Sequence, residues 1–268
     1  MPQISKRTGM PRKELTVFYV LDTSGSMNND GKITALNCAM EECTYALTEL
    51  AKDNGDAKIK IAILEFNSGC KWVTSNGPEY LEEDFEYEHL KAGGLTDMGA
   101  ALKELNSKLN RNSYLQSMTG ALMPIIIFMT DGMATDDWKS GLEIIRRNKW
   151  FNRGTKIGFA LGEDPDTAMI ASVVGDCKSV IKTTDLELFK KLMKFVTVTS
   201  SMMVSTSQTS DTSVNAGDIV DEAIKQNNAE DSVEDIRLQS TDDIKKVSDG
   251  GDKYIPQPPE SDWDEEEW

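Results

Sequence analysis

Histidine is nearly absent: His89 is the only one in 268 residues. A single imidazole excludes multi-histidine zinc sites and leaves little room for histidine acid–base chemistry. Cysteine is scarce too. Cys38, Cys43, Cys70 and Cys177 form no CxxC pair and match no zinc spacing, so they read as free, reduced thiols. No run approaches the ~20 apolar residues of a membrane span; the run at residues 124–129 has the length of a strand. Residues 1–15 are polar and basic and lack the apolar centre of a signal peptide. Together these absences predict a cytoplasmic protein with no membrane segment.

Positive charge is also in short supply, with 29 Lys and Arg against 45 Asp and Glu and a net charge of −16. The imbalance is local. Residues 1–200 hold 27 acidic and 24 basic side chains, whereas residues 201–268 hold 18 and 5. A nearly balanced body therefore carries an acidic tail. Neither part has the clustered Lys and Arg that a nucleic-acid backbone or an anionic membrane surface requires.

What is present is an alternation of apolar runs. Residues 16–21 (TVFYVL) are a short apolar, β-branched and aromatic run ending at Asp22, as expected of a buried parallel strand. Ile33, Leu36, Met40, Cys43, Leu47 and Leu50 then recur at steps of three and four, one face of a helix of about five turns. Further strands are expected at 59–66, 123–129, 156–161 and 179–183, with an edge strand at Trp72 and Val73. Residues 79–88 are acidic and read as irregular. Helices are expected from Met98 to Leu109, over 138–148 and 166–174, and after Asp185 as N-cap. The order predicts an α/β fold: a doubly wound, mostly parallel central sheet flanked by helices, Rossmann-like in plan.

Three separated motifs share one address in such a sheet. Asp22-Thr23-Ser24-Gly25-Ser26 follows the first strand, Thr96 lies in a glycine-rich turn that opens a helix, and Asp131-Gly132 follows the most hydrophobic strand. Loops leaving the carboxyl ends of parallel strands gather at one edge, where these folds bind ligands. Two carboxylates and three hydroxyls there make an all-oxygen site suited to Mg2+ or Mn2+. Asp22, Ser24 and Ser26 converge only if their loop curls tightly, which Gly25 permits. Hydroxyls are neutral ligands, so the cation keeps much of its charge, and a partner's carboxylate can replace a coordinated water.

The runs VFYVLDTSGSM, GGLTDMGAAL and IIIFMTDGMATDDW resemble the metal-ion-dependent adhesion site, the MIDAS, of von Willebrand factor A (VWA) domains. The resemblance covers about residues 15–200 and implies the ligand set Asp22, Ser24, Ser26, Thr96 and Asp131. In that family the two serines bind directly, the two aspartates act partly through water, and Thr96 occupies the position whose engagement changes in relatives that switch. More narrowly, TDGMATDDW and LFKKLMKFVTVTSSM resemble bacterial TerY-type proteins, cytosolic A domains associated with tellurium resistance. Those are often encoded beside a PP2C-type phosphatase and a Ser/Thr kinase. The implied function is a non-enzymatic scaffold or adaptor in a stress-resistance or defence signalling system, binding protein partners that supply an acidic residue.

An alternative is a metal-dependent hydrolase, a phosphatase or nuclease, using the same carboxylates. Against it, the three motifs hold no general base, no positioned Lys or Arg and no second carboxylate cluster. Asp136 and Asp137 follow Asp131 closely, but the resemblance gives them no ligand role. Trp138 and Trp150 are expected to cover the sheet edge near the metal loop, and His89 to be a surface side chain.

The organisation expected is an N-terminal extension over 1–14, the A domain over 15–200 and an acidic, largely disordered tail over 201–268. Within the tail, residues 201–213 form a Ser/Thr tract, and 217–225 and 233–247 show weak helical periodicity. Its end, YIPQPPESDWDEEEW, combines acidic residues with two tryptophans, the large anchors common in interfaces. That segment has three readings: a solubilising extension, a peptide for a basic groove, or a carboxylate donor to this or another copy's metal site.

Overall fold

A computed structural model describes residues 11–74, 77–81, 85–206, 214–229 and 232–233. Seven strands form one sheet: β1 Lys13–Asp22, β2 Ala57–Asn67, β3 Gly69–Trp72, β4 Glu79–Tyr80, β5 Ile125–Thr130, β6 Thr155–Leu161 and β7 Val180–Thr183. Their order is β3-β2-β1-β5-β6-β7, with β4 also pairing with β2. All pairs are parallel except β2–β3 and β2–β4. The helices are α1 Lys32–Asp53, α2 Met98–Lys108, α3 Trp138–Ile145, α4 Lys149–Arg153, α5 Thr167–Val174, α6 Leu186–Thr206 and α7 Ala216–Gln226.

Strand periodicity explains the two layers. Side chains alternate across a strand, so Val17, Tyr19, Leu21, Ile125, Ile127 and Met129 face one core while Phe18, Val20, Ile126 and Phe128 face the other. The first core is closed by α1, α6 and α7, and the second by α2, α3, α4 and α5. Both faces are covered, as the run-on hydrophobicity of β1 and β5 requires.

The folded body is larger than expected from composition at both ends. Its first strand starts at Lys13, inside the expected extension, because the buried Glu14 carboxylate pairs with Lys60 and its backbone bonds to Gly120 and Leu122. At the other end α6 runs to Thr206, past the expected boundary at 200. Ser201 and Ser205, from the Ser/Thr tract expected at 201–213, are buried there, and Ser205 Oγ donates back to Met202 O at 3.0 Å within the helix. Residues 217–225 lie within α7, whose Ile219, Val220 and Ala223 are buried in the first core. Residues 207–213 and 234–268, including the acidic–aromatic end, lie outside the described residues.

Two smaller readings change. Glu79 and Tyr80, expected to be irregular, pair with β2, and Lys60 Nζ lies 4.9 Å from the Tyr80 ring centre. The helix expected over 138–148 stops at Ile145, and the Asn148 side chain instead caps a separate helix, α4, by accepting from Trp150 N at 2.9 Å. Trp150 consequently sits in the helix that feeds the start of β6, at the strand edge opposite the metal loop. No described helix is long and apolar enough to cross a membrane. The four cysteines are free, and His89 is exposed, 2.7 Å from Glu41.

Candidate metal centre

The strand order has a switch point between β1 and β5. From β1 the chain crosses to β2 on one side, and from β5 to β6 on the other. Their exit loops therefore part and leave a crevice at the carboxyl edge of the sheet. Asp22 is the last residue of β1 and Asp131 follows the last residue of β5.

Asp22 is fully buried; one carboxylate oxygen accepts from Ser24 N at 2.7 Å and the other accepts from the Thr130 hydroxyl. Burial pushes the Asp22 carboxyl above its ordinary range, the bonds from Thr130 and Ser24 pull it back, and nearby Asp131 adds to the rise. The Ser24–Asp22 bond folds the loop on itself, and a 3-10 segment beginning at Gly25 brings Ser26 Oγ to 3.0 Å from Ser24 Oγ. Ser26 Oγ in turn donates to Asp131 Oδ1 at 2.7 Å. Four of the five expected residues are thus linked in one hydrogen-bonded chain.

Gly25 contributes differently from what its sequence position suggests. It has no left-handed backbone conformation. Its N–H donates to Gly94 O at 3.0 Å, and an added Cβ would stand 3.2 Å from that oxygen. The missing side chain allows close approach of the second motif's loop, which a further bond from Gly93 N to Thr23 O at 2.8 Å reinforces.

Thr96, the fifth residue, is buried at the end of that loop, but its side chain is not hydrogen-bonded to the other four. Its backbone is clamped by Thr135: Thr96 N donates to Thr135 Oγ1 at 2.9 Å and Thr135 N to Thr96 O at 2.8 Å. Thr135 Oγ1 also donates to Asp97 Oδ1 at 3.1 Å. Asp136 accepts from Gly99 N at 2.8 Å and Ala100 N at 2.9 Å, stabilising the start of α2 from outside. Asp137 caps α3 through Ser140 N at 3.2 Å. The second and third motifs are therefore locked together by residues outside the expected ligand set, Thr135 and Asp136 foremost. Only their place in TDGMATDDW pointed to them.

Sequence spacing gave no sign of Lys32. Its ammonium reaches Asp131 Oδ2 at 2.8 Å, so a basic side chain does stand at the site, although none lies in the three motifs. Among the described residues no group of three or more His, Cys, Asp or Glu side chains gathers as for a metal ion. The donors fit a hard divalent cation: oxygen only, two carboxylates, hydroxyls at hydrogen-bonding distance, and an ammonium already drawn to one carboxylate. Asp22, Ser24, Ser26 and Asp131 are in place to hold such an ion, with Thr96 on the adjoining loop.

No family model matches the chain, and no curated protein matches it. Solved structures do. The pilus adhesin SpaC of Lactobacillus rhamnosus GG, in its open conformation, aligns with TM-score 0.55 and 11% identity over 80% of this chain and 31% of its own. A von Willebrand factor type A protein of Catenulispora acidiphila aligns with TM-score 0.51 and 18% identity, over 70% and 42% respectively. A variant of the PilB minor pilin of Streptococcus sanguinis aligns with TM-score 0.51 and 14% identity, over 74% and 63%. The chain spans less than two thirds of each of these structures. At such identities the likeness is one of fold, and the fold is VWA-like.

Proposed function

We propose that the protein is a non-enzymatic interaction module that captures an acidic residue of a protein partner through Mg2+ or Mn2+ held by Asp22, Ser24, Ser26, Thr96 and Asp131. The observation that carries this reading is the chain of bonds from Asp22 through Ser24 and Ser26 to Asp131 at the switch point of the sheet. Bound there, the cation supplies a strong electrophilic contact for a carboxylate oxygen. The protein's own part is to bury and orient the oxygens and to frame the opening. Leu95 and Met133, each within two residues of an expected ligand, are 56% and 63% exposed. An apolar rim around a cation site suits an Asp or Glu flanked by apolar side chains.

Catalysis has less support. Lys32 supplies the basic group that a phosphoester hydrolase would use, but Asp136 and Asp137 are engaged as helix caps and His89 pairs with Glu41 instead. By resemblance to TerY-type proteins, the partners proposed are a PP2C-type phosphatase and a Ser/Thr kinase in a bacterial stress or defence system, in the cytoplasm. Titration calorimetry with Mn2+ tests the site: one ion bound by the wild type, and at least tenfold weaker binding by Ser26→Ala and Thr96→Ala with unchanged circular dichroism. Partner capture that survives both EDTA and Thr96→Ala would sink the reading.

One observation favours the chain's own acidic end as an occupant. Ser232 O accepts from Thr183 Oγ1 at 3.5 Å, which places the last described residues beside the end of β7, on the same sheet edge as the metal loops. The acidic residues and tryptophans of 254–268 match the cation and its apolar rim. Deleting 254–268 then raises the affinity of the site for a synthetic peptide of that sequence; an unchanged affinity would reject this occupant.

A further inference from the structure

Lys32 is the first residue of α1, the end of a helix where a positive side chain is least favoured. The first turn of α1 carries no acidic residue to offset it. Two consecutive residues with left-handed backbone, Asp30 at φ 54° and Gly31 at φ 75°, turn the chain into the helix just before it. Its ammonium lies 2.8 Å from Asp131 Oδ2, and the side chain is only 14% exposed. Room for it comes from the loop after β6: a Cβ on Gly162 would stand 3.3 Å from Lys32 Nζ. A lysine placed against its helix dipole, enclosed, and paired with a carboxylate that is itself 0% exposed is a built contact.

We infer that Lys32 is a tethered competitor for the divalent cation, one that neutralises Asp131 in the metal-free protein and weakens metal binding. The inference rests on the metal reading above and adds a residue outside its ligand set. Without metal, Asp22 and Asp131 are two buried carboxylates facing one crevice, and the ammonium removes half of their charge. Asp131 uses one oxygen for Ser26 and the other for Lys32, so an ion that takes either oxygen competes with a bonded partner. An arriving divalent ion meets a like charge and must draw Asp131 away from it. The consequence is a site of moderate affinity in a fold that stays intact when empty, so that loading follows the available metal concentration.

Lys32→Met is the decisive variant, with Lys32→Gln as a second should the first fail to fold. Titration calorimetry with Mg2+ and with Mn2+ gives the dissociation constants, and thermal melts in EDTA and in excess Mg2+ give the stability of the two states. The expected result is at least tenfold tighter metal binding in Lys32→Met, a lower melting temperature in EDTA, and a larger upward shift on adding Mg2+. Lys32→Arg, which keeps the charge, stays near the wild type. Equal or weaker metal binding in Lys32→Met and Lys32→Gln overturns the inference while leaving the metal site standing. Absence of metal binding in the wild type and every variant overturns the metal reading, and the competitor role with it.

Discussion

The hydroxyl of Thr130, the last residue of β5, donates to the carboxylate of Asp22, the last residue of β1. These residues close adjacent parallel strands, paired up to Leu21 and Met129, and the bond joins the strand ends where their loops begin to part. Thr130→Val keeps the shape and removes the donor. Leaving a buried carboxylate short of a partner costs about 1–3 kcal/mol, so urea unfolding of Thr130→Val shows a lower midpoint at unchanged slope. Thr130→Ser, which retains the hydroxyl, recovers most of it.

Gly99 and Gly141 set how closely α2 and α3 approach. A Cβ at Gly99 would fall 2.6 Å from Asp137 O, and one at Gly141 would fall 2.7 Å from Gly99 O. These are backbone atoms that cannot swing aside. Overpacking of this kind costs roughly 1–3 kcal/mol, and it also displaces Asp136 from the start of α2. Gly99→Ala and Gly141→Ala should each lower the melting temperature by several degrees. Gly55→Ala, with nothing within 4 Å of its Cβ, serves as the control that barely moves.

Lys156 tests electrostatics away from the metal site. Burial lowers its ammonium to about 8, from 10.5, although it donates to the carbonyls of Phe151, Asn152 and Gly154 at the end of α4. The unfolded chain keeps that proton until about pH 10.5, whereas the folded chain releases it near 8. The unfolded state thus binds more protons in that window, and stability rises with pH between them. Chemical unfolding at pH 7.5 and 9.5 should show the increase in the wild type and a smaller one in Lys156→Met.

The cysteines should differ in reactivity. Burial pushes the Cys43 thiol up to about 12 and, with help from Glu104 and other acids, Cys70 up to about 11. A rise to about 12 from 9.0 makes the thiolate of Cys43 about a thousandfold rarer than in an ordinary cysteine. Under iodoacetamide at pH 8, peptide mass spectrometry should find Cys38 and Cys177 modified first, Cys70 later, and Cys43 only on unfolding.

Much of this was written along the chain. The unbroken apolar runs at residues 16–21 and 123–129, the steps of three and four from Ile33 to Leu50, and the place of each motif at a strand exit are local properties. Hydrophobic patterning and turn chemistry act over a few residues, so the doubly wound sheet and the strand-exit positions of Asp22 and Asp131 were legible without coordinates, whereas the bonds that join Asp22, Ser24, Ser26 and Asp131 were not. Composition misled where polar residues are buried. Ser201 and Ser205 belong to the tract that looked like a linker, yet both are buried, and Ser205 Oγ bonds its own helix backbone at Met202 O. Glu14 looked like an extension, but its partner Lys60 lies in the next strand.

What the tertiary structure alone decided is which distant groups meet at the metal centre. Lys32 is 99 residues from Asp131, Thr130 is 108 from Asp22, and Thr135 is 39 from Thr96. No periodicity relates such pairs, because they are set by how β1 and β5 lie side by side and by where α1 and α2 begin above them. The sequence by itself determined that oxygens suited to a cation gather at one edge of the sheet. The fold determined that a lysine is already seated there.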